Sequence, residues 1–289
     1  MHPRSRYPTA WPSRMSSRCT LLCWHVLTGE ELAGTSLPHR VRRAEEFDPD
    51  DLSLLHEIRG LQAPESTLNY VDDLVEASFG SPDALARFEQ GRLKRALGAR
   101  ELTDEAVQSL GWIVEAAATR LEQEPVVMRA DDAVALDIAA ACELGIVSND
   151  RALRRRAVIR GITVNESTVR TRISVSSLVG LDIGDALDRA DEVVVALDEG
   201  DVAVLLGPAA ALPDELAGTL QQRRARTLRV GNLVAAIRLP RTMARGAPPE
   251  PRNVDMPRRR ERTAPPGLPI LAPLTISNAA ILLLTSPGR

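Results

Sequence analysis

The sequence predicts an α/β protein with an open, mostly parallel sheet, a helical N-terminal subdomain and disordered tails. Apolar residues recur at helical spacing over residues 49–124, and short apolar runs alternate with helix-length segments over 125–240. Prolines and arginines without periodicity are concentrated in residues 1–48 and 241–289. Because strands separated by helices are typical of a parallel sheet with right-handed crossovers, these four ranges are interpreted as an extension, a helical subdomain, an α/β domain and a Pro/Arg-rich tail.

Composition narrows the function classes. The chain has 289 residues, of which 44% are hydrophobic, so it can bury a substantial core. A formal net charge of −3 does not favour binding of nucleic acid by bulk electrostatics, and an aromatic share of 3% leaves few rings on which bases could stack. Cys19, Cys23 and Cys142 form neither a disulfide framework nor a zinc-site spacing. With no apolar run of membrane-spanning length and no clean signal peptide, we expect a cytoplasmic protein.

The helical subdomain is predicted from start and stop signals. A short helix is predicted to begin at Asp48 and end near Gly60, and a second to span 64–78. The Ser-Pro-Asp run at 81–83 starts a third helix that is predicted to end at Gly98. A further helix begins at Thr103, and its apolar stripe is interpreted as core.

The α/β domain is predicted from alternating elements. Strands are expected at 126–128, 162–164, 169–175, 202–206 and 233–239, and helices at 150–160, 185–196 and 214–230. Periodicity leaves residues 133–144 open between one buried helix and a strand that enters a helix. The apolar residues 279–284 are consistent with an edge strand or an unpaired tail, and most of 246–275 is expected to be disordered.

The segment 201–240 carries the most information about function. A hydrophobic strand ends in Gly207-Pro208, an arginine-rich helix follows, and the segment closes with Gly231-Asn232 and a strand that leads to Pro240. This resembles the C-terminal part of the catalytic domain of N6-adenine DNA methyltransferases, specifically the modification subunit of type I restriction-modification systems. The positions that match the family pattern are Arg226, Gly231, Leu233, Val234, Ala236, Ile237, Leu239 and Pro240.

The resemblance implies a Rossmann-like sheet, S-adenosylmethionine as cofactor and DNA as partner. It also implies a glycine-rich loop after the first strand and an Asn/Asp-Pro-Pro-aromatic element that binds the flipped adenine. The sequence contains no Asn-Pro-Pro or Asp-Pro-Pro. The nearest counterpart of the cofactor loop is 134–141, with alanines in place of glycines. Asp137 is its candidate cofactor contact, and a helix surface acid is the alternative interpretation of this residue. We therefore predict a truncated or divergent member of the group that retains the scaffold without a complete active site.

A second resemblance covers residues 145–162. The Ser-Asn-Asp run at 148–150, followed by an arginine-rich helix and Gly161, is similar to the last strand and helix of PIN-type ribonucleases. In that family clustered carboxylates hold Mg²⁺ or Mn²⁺ for phosphodiester hydrolysis. Asp150 would be one metal ligand, and Asp131 or Asp132 another. The alternative for Asp150 is that it simply caps the following helix.

Two clusters of arginine are candidates for contact with nucleic acid. They contain Arg154 and Arg155 in the first cluster and Arg223 and Arg224 in the second. A solvated helix face, paired with nearby acids, explains the same runs of charge. A non-catalytic interaction protein is the third functional hypothesis, because no complete catalytic constellation is present. A methylase-type core should place the strands at 202–206 and 233–239 in one sheet.

Overall fold

A computed structural model of the protein describes residues 13–90, 102–121, 126–239 and 279–285. The helical part contains α1 (Ser13–Thr28), α2 (Leu37–Phe47), α3 (Leu55–Arg59), α4 (Glu65–Glu76), α5 (Ser81–Gln90) and α6 (Asp104–Arg120). The α/β part contains β1 (Val127–Ala130), α7 (Ala133–Ala141), β2 (Gly145–Val147), α8 (Arg151–Ile159), β3 (Ile173–Ser177), α9 (Ile183–Val195), β4 (Val202–Pro208), α10 (Gly218–Val230), β5 (Leu233–Arg238) and β6 (Ala279–Thr285). Within the described ranges, no helix is long and apolar enough to cross a membrane.

The sheet has six strands in the order β2-β1-β3-β4-β6-β5. Strands β1 to β4 pair in parallel, whereas β6 runs antiparallel to both of its neighbours. Val164 adds a parallel bridge to Ile146 on the outer side of β2. The predicted Rossmann-like, mostly parallel sheet is confirmed.

Helices cover both faces of this sheet. Buried side chains of α6, α7 and α8 form one core with β1 to β4. Side chains of α9 and α10 form a second core with β4 and β6 on the other face. The chain switches faces between β1 and β3, so the carboxyl ends of these two strands border the crevice in which open α/β sheets bind ligands.

The ambiguous stretch after β1 is a helix and contains no strand. Asp132 caps α7 by accepting a hydrogen bond from the Ala135 amide, and the helix ends at Ala141. Leu136 and Ile138 are fully buried in the core. A helix hydrophobic on nearly all sides is expected when it lies between a sheet and another helix, here α6.

The expectation of disorder over residues 1–48 is wrong for its described part. Helices α1 and α2 lie there, and Leu21, Leu22, Cys23 and Trp24 are at most 1% exposed. The surrounding arginines and prolines obscure the helical periodicity of this short apolar run. Pro38 instead lies in the first turn of α2, which Ser36 caps, and Trp24 donates from Nε1 to the Arg40 carbonyl at 3.0 Å.

The helix predicted to begin at Asp48 begins later, at Leu55. The buried Asp48 carboxylate accepts hydrogen bonds from the amides of Leu52, Ser53 and Leu54, which form the turn before α3. The predicted helices at 64–78 and from Thr103 are confirmed as α4 and α6. The third helix is confirmed as far as Gln90, and its predicted end at Gly98 lies outside the described residues.

The last apolar segment is neither an edge strand nor an unpaired tail. As β6 it lies between β4 and β5 and pairs with both. Ala280, Ile281, Leu282 and Leu284 are buried, which accounts for a strand that is apolar on both faces. The tail predicted for 241–289 thus returns to the sheet at 279–285, while the expected disorder of 246–275 falls outside the described residues.

The strands predicted at 202–206 and 233–239 lie in one sheet, as the methylase-type interpretation requires. They are not neighbours, because β6 separates them. The helix between them begins at Gly218 instead of 214, after a series of turns that follows β4.

Candidate functional site: the crevice at the carboxyl ends of β1 and β3

The crevice is bordered by the turn that follows β1 and by the end of β3. Strand β1 ends at Ala130, and only Asp131 and Asp132 separate it from α7. Strand β3 ends at Ser177 and is followed by the fully buried Leu178. The functional side chains nearest to this crevice are therefore two adjacent carboxylates and a serine.

Asp132 connects the two sides of the crevice. Its Oδ1 accepts a hydrogen bond from the Ala135 amide at 3.0 Å, and its Oδ2 accepts one from the Ser177 amide at 2.5 Å. Burial raises the pKa of this carboxyl group above its ordinary value, although the two amides oppose the shift. The side chain thus links the N-terminus of α7 to the end of β3.

Asp131 forms a second connection across the same crevice. Its Oδ2 lies 2.8 Å from Nη2 of Arg189, which is on the helix that follows β3. Arg189 also pairs with Glu192 one turn further along α9. The two carboxylates after β1 are therefore held by the last residue of β3 and by the helix that follows it.

The residues here do not fit S-adenosylmethionine. A cofactor loop needs glycine so that backbone can approach the ligand, and the β1–α7 turn contains none. The amides of Ala135 and Ser177 already donate hydrogen bonds to the Asp132 carboxylate, so they are not free to bind a ligand. Across the crevice, the Ser177 hydroxyl accepts from the Val179 amide, and the following Leu178 offers no ring for stacking on a base.

Asp137, the candidate cofactor contact, lies away from this crevice in the middle of α7. Its carboxylate pairs with Arg160 at 2.5 Å and is substantially exposed. The structure therefore places it as a surface acid that joins α7 to the end of α8. A cofactor role for Asp137 remains only a sequence-based prediction.

The metal-dependent nuclease hypothesis gains no support. Asp150 caps α8 through the Ala152 amide at 2.7 Å, and its own amide donates to the Ser148 hydroxyl. Asp132 caps α7 as described above. Within the described parts of the chain, no group of three or more His, Cys, Asp or Glu side chains could hold a metal ion. The capping interpretation explains both residues.

The first arginine cluster contacts the helical subdomain. Arg154 donates to the carbonyls of Leu52 and Ser148, at 2.7 and 2.5 Å. Arg155 is buried, donates to the Ser53 carbonyl and pairs with Glu57 at 2.6 Å. These contacts give both guanidinium groups a structural role, and contact with nucleic acid remains a prediction for them.

Two further arginines of α8 strengthen the same interface. Arg151 pairs with Asp51 at 2.6 Å and with Glu57 at 2.8 Å, and Arg156 pairs with Glu89 at 2.8 Å. No local sequence pattern indicates these pairs. The helical subdomain has an excess of acidic residues, which indicates that basic partners exist elsewhere. Local spacing cannot identify these partners, because they are more than 60 positions away in the sequence.

The second arginine cluster divides between surface and interior. Arg223 is exposed and pairs with Asp188 of α9. Arg224 is buried, and its Nη1 donates to the carbonyls of Leu212 and Asp214. Arg224 therefore fixes the turns after β4, and contact with nucleic acid remains a prediction for this cluster.

The fold defines the class as a doubly wound, Rossmann-like α/β protein with a helical N-terminal part. No family model matches the sequence, and no curated protein matches it. Two similar solved structures are the O-methyltransferase NcsB1 from neocarzinostatin biosynthesis, in complex with S-adenosyl-L-homocysteine and 1,4-dihydroxy-2-naphthoic acid, and an O-methyltransferase family 2 protein from Planctomyces limnophilus in complex with apigenin.

The first of these structures is 14% identical, with 99% of this chain and 100% of that chain covered and a TM-score of 0.28. The second is 10% identical, with 98% of each chain covered and a TM-score of 0.30. Likenesses at these TM-scores support no conclusion about this chain's fold or function.

Proposed function

We propose that the chain is a divergent member of the N6-adenine DNA methylase group that retains the scaffold and transfers no methyl group. The observation that carries the proposal is the fold of segment 201–240. Its strand, helix and strand are β4, α10 and β5 at the far side of the doubly wound sheet. The resemblance implies that this segment builds the far side of the sheet, behind the cofactor pocket, and the observed position agrees with that.

The strand order supports the same proposal. A methylase-type core should place β4 and β5 in one sheet, and here both strands pair with β6, which lies reversed between them. The pattern residue Gly231 has a packing role in it. A Cβ atom on Gly231 would lie 2.9 Å from Val194 and 3.3 Å from Leu284. Gly231 is thus a pattern position that the packing between α9 and β6 requires to be small.

Loss of catalysis is proposed from the crevice. The β1–α7 turn has carboxylates where a cofactor loop has glycines, and the end of β3 offers no amide or aromatic side chain to a flipped adenine. When bound, S-adenosylmethionine supplies the methyl group in this family. The residues of this chain instead bond to one another across the site.

The test is transfer of a radiolabelled methyl group from S-adenosylmethionine to unmethylated plasmid DNA. We expect incorporation at the level of a protein-free blank, while an active adenine methylase added to the same DNA confirms that the substrate is competent. Incorporation that increases with the concentration of this protein and is found on adenine would overturn the proposed inactivity. Incorporation on another base would overturn the family assignment as well.

DNA is the proposed partner, on the basis of the family resemblance. Arg224 is buried and the exposed Arg223 is paired with Asp188, so Arg226 and Arg229 are the further exposed arginines of α10 that could contact DNA. Fluorescence anisotropy with a labelled duplex should show binding that weakens when both are changed to alanine, with a shallower dependence on salt. If the wild-type protein does not bind DNA at low salt, the proposal that DNA is its partner is overturned.

A further inference from the structure

We infer that the turn after β1 excludes S-adenosylmethionine, because the Asp132 carboxylate fills the position of the ligand's polar groups. The inference rests on the proposed methylase-type scaffold and deepens it. It assigns the loss of cofactor binding to one side chain and its contacts, whereas the proposal above concerns methyl transfer as a whole.

The backbone amides of Ala135 and Ser177 both point at the Asp132 carboxylate. In nucleotide-binding sheets, backbone amides at the start of the helix after the first strand donate to the ligand. Here the Ala135 amide donates to Oδ1 of Asp132 and the Ser177 amide to Oδ2. A side chain of the protein thus takes the acceptor role that a ligand would have on both sides of the crevice.

Displacement of the Asp132 carboxylate by a ligand would cost free energy. The carboxylate is half-buried, and the loss of hydration there raises its pKa. A ligand that entered between β1 and β3 would remove its hydrogen bonds and leave a half-buried carboxylate unpaired, which is unfavourable. It would also have to separate Asp131 from Arg189, which close the same crevice at 2.8 Å.

The connection itself is tested by amide hydrogen exchange on the full chain. The Ser177 amide should exchange slowly in the wild-type protein and at least about tenfold faster in Asp132→Ala, since its acceptor is lost. Asp137→Ala is the matched control, because it removes a carboxylate from the same helix without touching Ser177. If Asp132→Ala does not fold, Asp132→Asn retains one acceptor oxygen and allows the same comparison. Rapid exchange of the Ser177 amide in the wild-type protein would overturn the inference.

Cofactor exclusion is tested by calorimetry and by thermal melting with S-adenosylmethionine and S-adenosylhomocysteine. A ligand present at about 100 times its Kd would raise Tm by several degrees. We expect no saturable heat and no shift in Tm for the wild-type protein at millimolar ligand. Saturable binding without methyl transfer would overturn this inference and leave the proposed function standing, whereas methyl transfer would overturn both.

Discussion

At the scale of the residue, Gly231 is needed because of space and not because of backbone conformation. Its φ of −87° is open to any residue, but an added Cβ would lie 2.9 and 3.0 Å from the two γ carbons of Val194. We expect Gly231→Ala to lower the free energy of unfolding by about 1–3 kcal/mol through overpacking between α9 and β6. Gly60→Ala is the control, since its Cβ would meet nothing closer than 3.9 Å. Equal urea midpoints for the two variants would contradict the explanation.

For the crevice, the residue-scale prediction concerns the contribution of Asp132 to stability. Asp132→Ala removes a helix cap and the bond from Ser177, so it should lower the free energy of unfolding by about 2 kcal/mol. Asp137→Ala removes a substantially exposed ion pair and should change it by less than about 1 kcal/mol. Chemical denaturation of both variants at neutral pH measures the difference. A smaller loss for Asp132→Ala than for Asp137→Ala would show that Asp132 does not hold the crevice together.

The sequence indicates one of these residue roles and misses the other. An acid directly before a helix predicts a cap, and both Asp132 and Asp150 are caps. The second acceptor oxygen of Asp132 binds the amide of Ser177, which is 45 positions away in the chain. Such a contact depends on how β1 and β3 are placed side by side, so local spacing contains no sign of it.

At the scale of the element, α8 is the helix that joins the two parts of the protein. Its arginines contact Asp51, Glu57 and Glu89 of the helical subdomain, and its Ile159 enters the core formed by α1 to α5. The run of charge that suggested contact with phosphate is therefore an internal interface. The helix itself could be predicted, because its cap and its closing glycine are neighbours in the sequence. The surface that the helix covers could not be predicted from local sequence.

The ion pairs of α8 make stability depend on pH. Burial pushes the pKa of Glu57 upward, but hydrogen bonds and ion pairs with Arg151 and Arg155 outweigh it, and the pKa lies below the ordinary 4.5. The pKa of Asp51 is also lowered: burial raises it, and the hydrogen bond from Arg151 is the larger of the opposing effects. A carboxyl group with a lowered folded pKa contributes stability above its unfolded pKa, and this is lost as pH falls through the folded value.

We therefore expect Tm to fall as pH decreases below about 4.5, and Glu57→Gln to flatten this dependence. The variant should also be less stable at neutral pH, because Arg155 would remain buried without its ionised partner. Glu115→Gln, on the exposed side of α6, serves as the control and should retain the wild-type profile. Parallel pH profiles for the wild-type protein and Glu57→Gln would argue against the ion pairs as the cause.

At the scale of the whole molecule, the sheet is completed by a strand that is distant in sequence from its neighbour. Strand β5 ends at Arg238, and its neighbour β6 begins only at Ala279. Strand β6 lies between β4 and β5, although both of them precede it in the sequence. The sequence predicted that β4 and β5 share a sheet, because the family pattern covers both. It could not place β6, since a short apolar run of this kind fits an edge, an interior position or no strand at all until its partners are known.

Removal of β6 should therefore affect the fold as a whole. Without residues 279–289, β4 loses the partner that pairs along its whole length, and β5 loses its connection to the sheet. Leu233, Val234 and Ile237 of β5 are already 39–46% exposed, so the freed edge would present a largely apolar strand to other chains. We expect the truncated protein to lose its cooperative thermal transition and to elute as aggregates in size-exclusion chromatography. A chain that lacks only residues 286–289 retains β6 and should melt like the wild-type protein. A cooperative, monodisperse product from the longer truncation would mean that the first four strands form a stable sheet alone, and β6 would then have no part in specifying the fold.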